Sequence, residues 1–193
     1  MTKNILLVGV GGQGTILASQ LLTLGLMEAG YDVKMSEIHG MSQRGGSVSS
    51  QVRYGECVQS PVIEKGGADI LVAFEKMEAL RWLSYLSPTG HVVVNDYQIN
   101  PIPVISGMAS YSPAIMEELE QVADDLIQIK AYDEALKLGN AKVLNMILLG
   151  ATVQMMDLGN INWDLIIASV VKQAFVRLNQ KAFSVGRELV KDK

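Results

Sequence analysis

Cysteine is nearly absent from this chain of 193 residues: Cys57 stands alone. One thiol makes no internal disulfide, and an iron–sulfur cluster needs about four thiolates. Histidine is almost as scarce, with His39 and His91 far apart, so no transition-metal ligand set can be assembled at the usual spacings. Aromatic residues make up 6% of the chain, too few for base-stacking platforms, and the formal charge of -4 supplies no basic face for nucleic acid. Long apolar runs are lacking too. The longest, from Val143 to Met156, is interrupted by Asn145, Gly150 and Gln154, and falls short of the roughly 18 apolar residues a membrane span needs. The first residues lead straight into an apolar strand without the charged and cleavable regions of a signal peptide, so a cytoplasmic location is expected.

What is present is the balance of a globular α/β protein: 49% hydrophobic and 19% charged residues. Asn4 to Val8 reads as a strand buried on both faces. Thr15 to Ala29 carries Ile16, Leu17, Leu21, Leu24 and Leu26 at helical spacing, and Gly30 follows as a terminator. Asp32 to Glu37 reads as a second strand, giving a β-α-β unit with the expected right-handed crossover.

Ser47 to Tyr54 alternates as a half-exposed, antiparallel strand should. Asp69 to Phe74 and His91 to Val94 read as further buried strands, with a helix from Lys76 to Leu86 stopped at Ser87-Pro88. Tyr97 to Pro113, with three of the five prolines, reads as an irregular excursion. A helix over Met116 to Val122 and a strand over Leu126 to Ala131 follow. The remainder is helical: a break at Gly139-Asn140, a buried helix from Val143 to Met156, and a helix capped by Asn162 whose apolar stripe runs from Trp163 to Leu178. The expected architecture is α/β: a Rossmann-like, doubly wound, mostly parallel sheet with a helical C-terminal portion, over residues 1–193 as a single domain.

Two glycine-rich segments carry the chemistry. Gly9, Gly11 and Gly14, with Gly12 and Gln13 between them, have the G-x-G-x-x-G spacing between a strand and a helix. Gly9 permits the tight turn, Gly11 the approach of a ligand to the backbone, and Gly14 close helix packing, leaving the helix N-terminus for negative charge. Glu37, on the second strand, stands where an acid meets a ribose in dinucleotide sites. The same glycines also suit a purely structural turn. The second segment, His39 to Gly46, sets Ser42, Gln43 and Arg44 beside Gly45 and Gly46. Arg44 is suited to a bidentate phosphate or carboxylate contact, and His39 either to proton transfer or to a hydrogen bond. Glu75, Glu78, Asn95 and Asp96 follow strand ends, either lining the same crevice or serving the start of a helix. Cys57 has no activating neighbour, and His91 reads as structural. No Ser-His-Asp set or carboxylate pair can be assembled.

Val8 to Gly14, Ser36 to Val48 with its His-Gly-Met-Ser-Gln-Arg-Gly-Gly core, and Ser60-Pro61-Val62-Ile63 resemble the gamma-type subunits of 2-oxoacid:ferredoxin oxidoreductases, and within them the beta subunits of the indolepyruvate enzymes. Gly66-Ala68-Asp69, Glu75 with Glu78, Asn95, Gly139-Asn140 with Asn145, and Asn179 with Ala182-Phe183 and Gly186 extend the resemblance over nearly the whole chain. It implies oxidative decarboxylation of a 2-oxoacid, indolepyruvate or another, with coenzyme A taking the acyl group and ferredoxin the electrons. It also implies an alpha subunit that carries thiamine diphosphate and the iron–sulfur clusters, this chain being inactive alone. Gly9 to Gly14, Glu37 and Ser42 to Gly46 are then the candidate residues for coenzyme A or for docking the partner. Two other readings follow from the residues. A free-standing NAD(P)-dependent oxidoreductase would bind nicotinamide cofactor by itself, and a noncatalytic assembly subunit would use Arg44 in complex formation without touching coenzyme A affinity.

Overall fold

The computed structural model describes residues 2–39, 45–123 and 125–191; Gly40 to Arg44 are outside it, as is the side chain of His39. Six strands form one sheet: β1 (Lys3–Val10), β2 (Asp32–His39), β3 (Ser47–Gly55), β4 (Ala68–Ala73), β5 (Leu86–Asn95) and β6 (Leu126–Ile129), in the order β2-β3-β1-β4-β5-β6. β1, β4, β5 and β6 pair in parallel, and β3 lies antiparallel to both of its neighbours. Five strands therefore point one way and one the other, which gives the mostly parallel α/β sheet expected.

The β-α-β unit differs from the expectation. β1 and β2 run in the same direction but do not touch, because β3 folds back between them and pairs with both over eight positions. The expectation of a half-exposed β3 also fails: Val48 to Val52 are all buried. Val52 and Tyr54 face the first helix, α1 (Thr15–Glu28). The opposite face is covered by the segment after β3, where Arg53 donates to the carbonyls of Ser60 and Val62 and Gln51 accepts from the Ile63 amide. The alternation thus recorded two different kinds of cover rather than core against solvent.

Alternate residues of β1 feed two cores. Ile5 and Leu7 join α1 and the C-terminal helices, and Leu6 and Val8 join α2 (Lys76–Trp82) on the other face. The helix expected from Lys76 to Leu86 is shorter: a 3₁₀ turn spans Leu83–Tyr85, and Ser87-Pro88 already belong to β5. The excursion after β5 holds one short helix, α3 (Ile102–Ile105), and α4 (Ile115–Glu120) leads to β6.

Next come α5 (Ala131–Lys137), closed by Gly139 at φ 91°, and α6 (Leu144–Met155), with Leu144 to Val153 all buried. At about 1.5–3 kcal/mol per fully buried large aliphatic side chain, that burial is what holds α6 at the centre of its layer. The stripe from Trp163 to Leu178 is not one helix. α7 (Trp163–Val170), N-capped by Asn162, ends at Val171, and α8 (Val176–Glu188) starts after a 3₁₀ turn at Gln173–Phe175. The break lets α8 pack on α6 at backbone distance. A Cβ on Gly186 would fall 1.8 Å from the Ile147 carbonyl oxygen, and one on Gly150 would fall 2.0 Å from that of Phe183.

Candidate functional site

The carboxyl ends of β1, β4 and β5 meet the starts of α1, α2 and α5, where open parallel sheets bind their ligands. Gly9 is the last but one residue of β1, extended and paired with Val48. Its missing side chain makes room for Gln13 and Phe74: a Cβ there would lie 2.9 Å from an atom of each. Gly9 thus serves close packing rather than the turn itself. The turn is made by Gly12 and Gly14, at φ 104° and 85°. Gly14 occupies the N-cap position of α1 in left-handed conformation, and its missing Cβ admits the Asn145 side chain of α6. It packs helix against helix, not helix against sheet.

Gln13 staples the turn. Its Oε1 accepts from the Val10 amide at 2.7 Å, and its Nε2 donates to the Phe74 carbonyl at 2.9 Å. That same carbonyl accepts from Nδ2 of Asn95 at 3.1 Å, and Oδ1 of Asn95 accepts from the Ala131 amide at 3.0 Å. Two buried side-chain amides therefore tie together the ends of β1, β4 and β5 and the start of α5. Asn95 spends its hydrogen bonds on the scaffold.

The second glycine segment comes to the same place. Gly11 donates its N–H to the Gly46 carbonyl at 2.9 Å and accepts from the Gly45 N–H at 3.4 Å. Beyond them the Ser47 hydroxyl donates to Glu78, whose other oxygen meets Nε of Arg81 at 3.3 Å. Burial pushes the Glu78 carboxyl above its ordinary range, against the pull of Ser47 and Arg81. Glu75 caps α2: it accepts from the Glu78 amide at 3.0 Å, the Ile99 amide at 3.2 Å and the Tyr111 hydroxyl at 2.5 Å. Burial raises the Tyr111 phenol, and the Glu75 carboxylate adds to the rise, so Tyr111 stays a donor. Both acids thus begin a helix, and Glu75 also fastens the Tyr97–Pro113 excursion to it.

A cavity of about 610 Å³ opens over the glycine turn. Gly11, Gly12, Gln13 and Gly14 form its floor; Tyr97, Ile99 and Tyr132 form one wall, and Ala141, Lys142 and Leu144 another. Tyr97 and Tyr132 stack with centroids 4.6 Å apart. Among the described residues no Asp or Glu lines it, α1 has no acid in its first turn, and Lys142 brings a cation to the cavity that the N-terminus of α1 opens into. Gly12 faces open space: nothing lies within 4 Å of where its Cβ would be.

The structure brings Gly11 to Gly14, Gly45 and Gly46 together. It does not bring Glu37 to them: β3 lies between β1 and β2, Glu37 accepts from the Ser19 hydroxyl at 2.8 Å, and it is not among the cavity's lining residues. His39 ends β2 opposite Val48; Ser42, Gln43 and Arg44 fall outside the described residues. Tyr97, Ile99, Tyr132 and Lys142 come from three separate segments and carry no local pattern that would have singled them out. The stretch around Gly139-Asn140, which stands out in the sequence, was the nearest signal to Lys142. Among the described residues no group of three or more His, Cys, Asp and Glu could hold a metal ion, and no helix is long and apolar enough to cross a membrane.

This architecture defines a small α/β domain with a mostly parallel six-stranded sheet and a cavity over its glycine turn, and comparison gives it a family. Residues 4–189 match the model of the pyruvate ferredoxin/flavodoxin oxidoreductase family, and the chain belongs to that family. It is 37% identical over 196 residues to the indolepyruvate oxidoreductase subunit IorB of Pyrococcus horikoshii, covering 98% of this chain and 96% of that one. Its fold matches the gamma subunit of a keto/oxoacid ferredoxin oxidoreductase from Geobacter sulfurreducens, with a TM-score of 0.73, 23% identity and 99% coverage of both chains. It also matches, at a TM-score of 0.75 and 18% identity, 31% of a longer chain of the 2-oxoglutarate:ferredoxin oxidoreductase of Magnetococcus marinus, solved with 2-oxoglutarate, coenzyme A and succinyl-CoA bound.

Proposed function

We propose that the chain is the cluster-free small subunit of an indolepyruvate, or other aryl 2-oxoacid, ferredoxin oxidoreductase, and that its glycine-turn cavity receives coenzyme A. The observation that carries the subunit reading is the 37% identity with an indolepyruvate oxidoreductase subunit over nearly the whole of both chains. The reaction removes carbon dioxide from the 2-oxoacid, passes the acyl group to the coenzyme A thiol and delivers the electrons to ferredoxin. The partner alpha subunit supplies thiamine diphosphate and the iron–sulfur clusters, for which a chain with one cysteine has no thiolate set.

The residues of this chain suit the charged end of coenzyme A. The open side of Gly12 admits a diphosphate to the backbone, the first turn of α1 offers N–H groups, and Lys142 offers a cation. Gly45 and Gly46, bonded to Gly11, are further candidates, and Ser42, Gln43 and Arg44 join them by residue type alone, Arg44 being chemically suited to a bidentate phosphate contact. His39 remains the one candidate for proton transfer on this chain. The test is co-expression with the alpha subunit, followed by dye reduction with indolepyruvate and a panel of 2-oxoacids. Coenzyme A-dependent reduction requiring both chains is expected. A stable complex that turns over no 2-oxoacid would overturn the reading.

A further inference from the structure

Two buried acids, Glu75 and Glu78, stand one turn apart at the start of α2, 1% and 4% exposed. In a reciprocal N-terminal cap, the capping side chain accepts from the amide three positions on, and the side chain at that position reaches back to the cap. Here only the first half is made: Glu75 accepts from the Glu78 amide at 3.0 Å. Glu78 turns the other way. One of its oxygens takes the Ser47 hydroxyl on β3, and the other meets Nε of the exposed Arg81 at 3.3 Å. Burying a carboxyl costs free energy that an outward-facing acid in a first turn does not incur. The needs of α2 alone do not explain the placement.

What Glu78 reaches does explain it. Ser47 opens β3 opposite Val10, directly after the two glycines that lie on Gly11 of the cavity floor. Gly46 accepts from the Gly11 N–H at 2.9 Å, and the Gly45 N–H returns to the Gly11 carbonyl at a long 3.4 Å. The two glycines have no side chains to hold them there, and Gly45 sits at φ 77°. Ser47 is the first residue of β3 whose side chain can fasten them, and Glu78 is what it binds. Glu75, on the same turn, holds the Ile99 amide of the cavity wall at 3.2 Å. One helical turn therefore grips both the floor and the wall of the glycine-turn cavity.

We infer that Glu78 is a positioning residue of the glycine-turn site, which through the Ser47 hydroxyl holds Gly45 and Gly46 against Gly11 in the arrangement the ligand meets. This rests on the reading of that cavity as the coenzyme A site. Glu78 does not line the cavity and acts only through Ser47. Its effect falls on binding, since a segment free to leave Gly11 must be ordered again when the ligand arrives. In the same reading the 2-oxoacid reacts on the partner subunit, and its KM is indifferent to the bond.

The test is steady-state kinetics of the assembled complex, varying first coenzyme A and then the 2-oxoacid. Ser47→Ala removes the donor and leaves the backbone ladder of β3 with β1 intact. It should raise the KM for coenzyme A about five-fold, the reach of one ordinary hydrogen bond, with kcat and the KM for the 2-oxoacid within about two-fold of wild type. Ser47→Thr, which keeps the hydroxyl, and Glu78→Gln, which keeps an acceptor, should each stay near the wild-type value. Glu78→Leu should match Ser47→Ala, and the double variant should be no worse than either, because both changes break one bond. If Glu78→Leu does not fold, the two Ser47 variants decide alone. An unchanged KM for coenzyme A in Ser47→Ala, equal rises for both substrates, or effects that add in the double variant would each overturn the positioning role and leave the coenzyme A reading standing. A wild-type complex whose turnover does not depend on coenzyme A would overturn both.

Discussion

At the residue scale the glycine turn is held by one side chain and one backbone conformation. Gln13→Leu keeps the volume but strands the Val10 amide, whose loss costs about 1–3 kcal/mol, and loosens the turn from β4. Gly14→Ala places a Cβ 2.6 Å from Nδ2 of Asn145 and forces φ 85° on an L-residue, a backbone cost of about 1–2 kcal/mol before any shift of α6. Urea unfolding measures both, and Gly14→Ala is expected to be the more destabilising. Glu78 gives a pH signature. Burial raises its folded pKa above the unfolded value near 4.5, so the native state holds the proton longer than the unfolded chain. Its contribution is then full at acid pH and declines as pH climbs from the unfolded pKa through the folded one. Glu78→Gln, neutral throughout, should gain stability relative to wild type as pH rises over that window; a constant difference from pH 4 to 7 would contradict the assignment. The glycine spacing was legible in the sequence because it is local. The packing duties of Gly9 and Gly14 were not, since the partners that require them, Phe74 and Asn145, are far away in the chain.

At the scale of elements, two departures from the sequence reading have the same cause: a pattern records burial but not the neighbour that supplies it. β3 alternates in the sequence, yet both faces are covered, one by α1 and the other by the loop that Arg53 and Gln51 fasten down. Its insertion between β1 and β2 also moves Glu37 away from the glycine turn, so the acid that suggested a dinucleotide faces Ser19. The apolar stripe from Trp163 to Leu178 is real, but α8 must approach α6 at the distance Gly150 and Gly186 allow, and a single straight helix does not do so. Gly186→Ala should therefore separate the two helices and cost toward the upper end of about 1–3 kcal/mol, readable as a lowered midpoint in thermal unfolding. The excursion after β5 was legible only as irregular. Its use emerges from Glu75, which binds the Ile99 amide and the Tyr111 hydroxyl and so fixes the wall that Tyr97 and Ile99 give the cavity. Tyr111→Phe should raise the KM for coenzyme A while leaving kcat within about two-fold, because the wall loosens without any reacting group being removed.

At the scale of the whole molecule, an acidic chain keeps its site free of acid. Net charge is -4, yet among the described residues no Asp or Glu lines the glycine-turn cavity, and Lys142 does. That contrast suits the proposed uptake of an anionic ligand at the glycine turn. The family was legible from the two glycine segments, whereas the cavity walls were not, since they assemble from residues spread between Tyr97 and Leu144. The most direct measurement is the KM for coenzyme A of the assembled oxidoreductase carrying Lys142→Ala. The account predicts a rise of about ten-fold with kcat and complex formation unchanged, as expected for the loss of a phosphate contact that acts on binding alone. An unchanged KM for coenzyme A in a complex that assembles and turns over normally would contradict it.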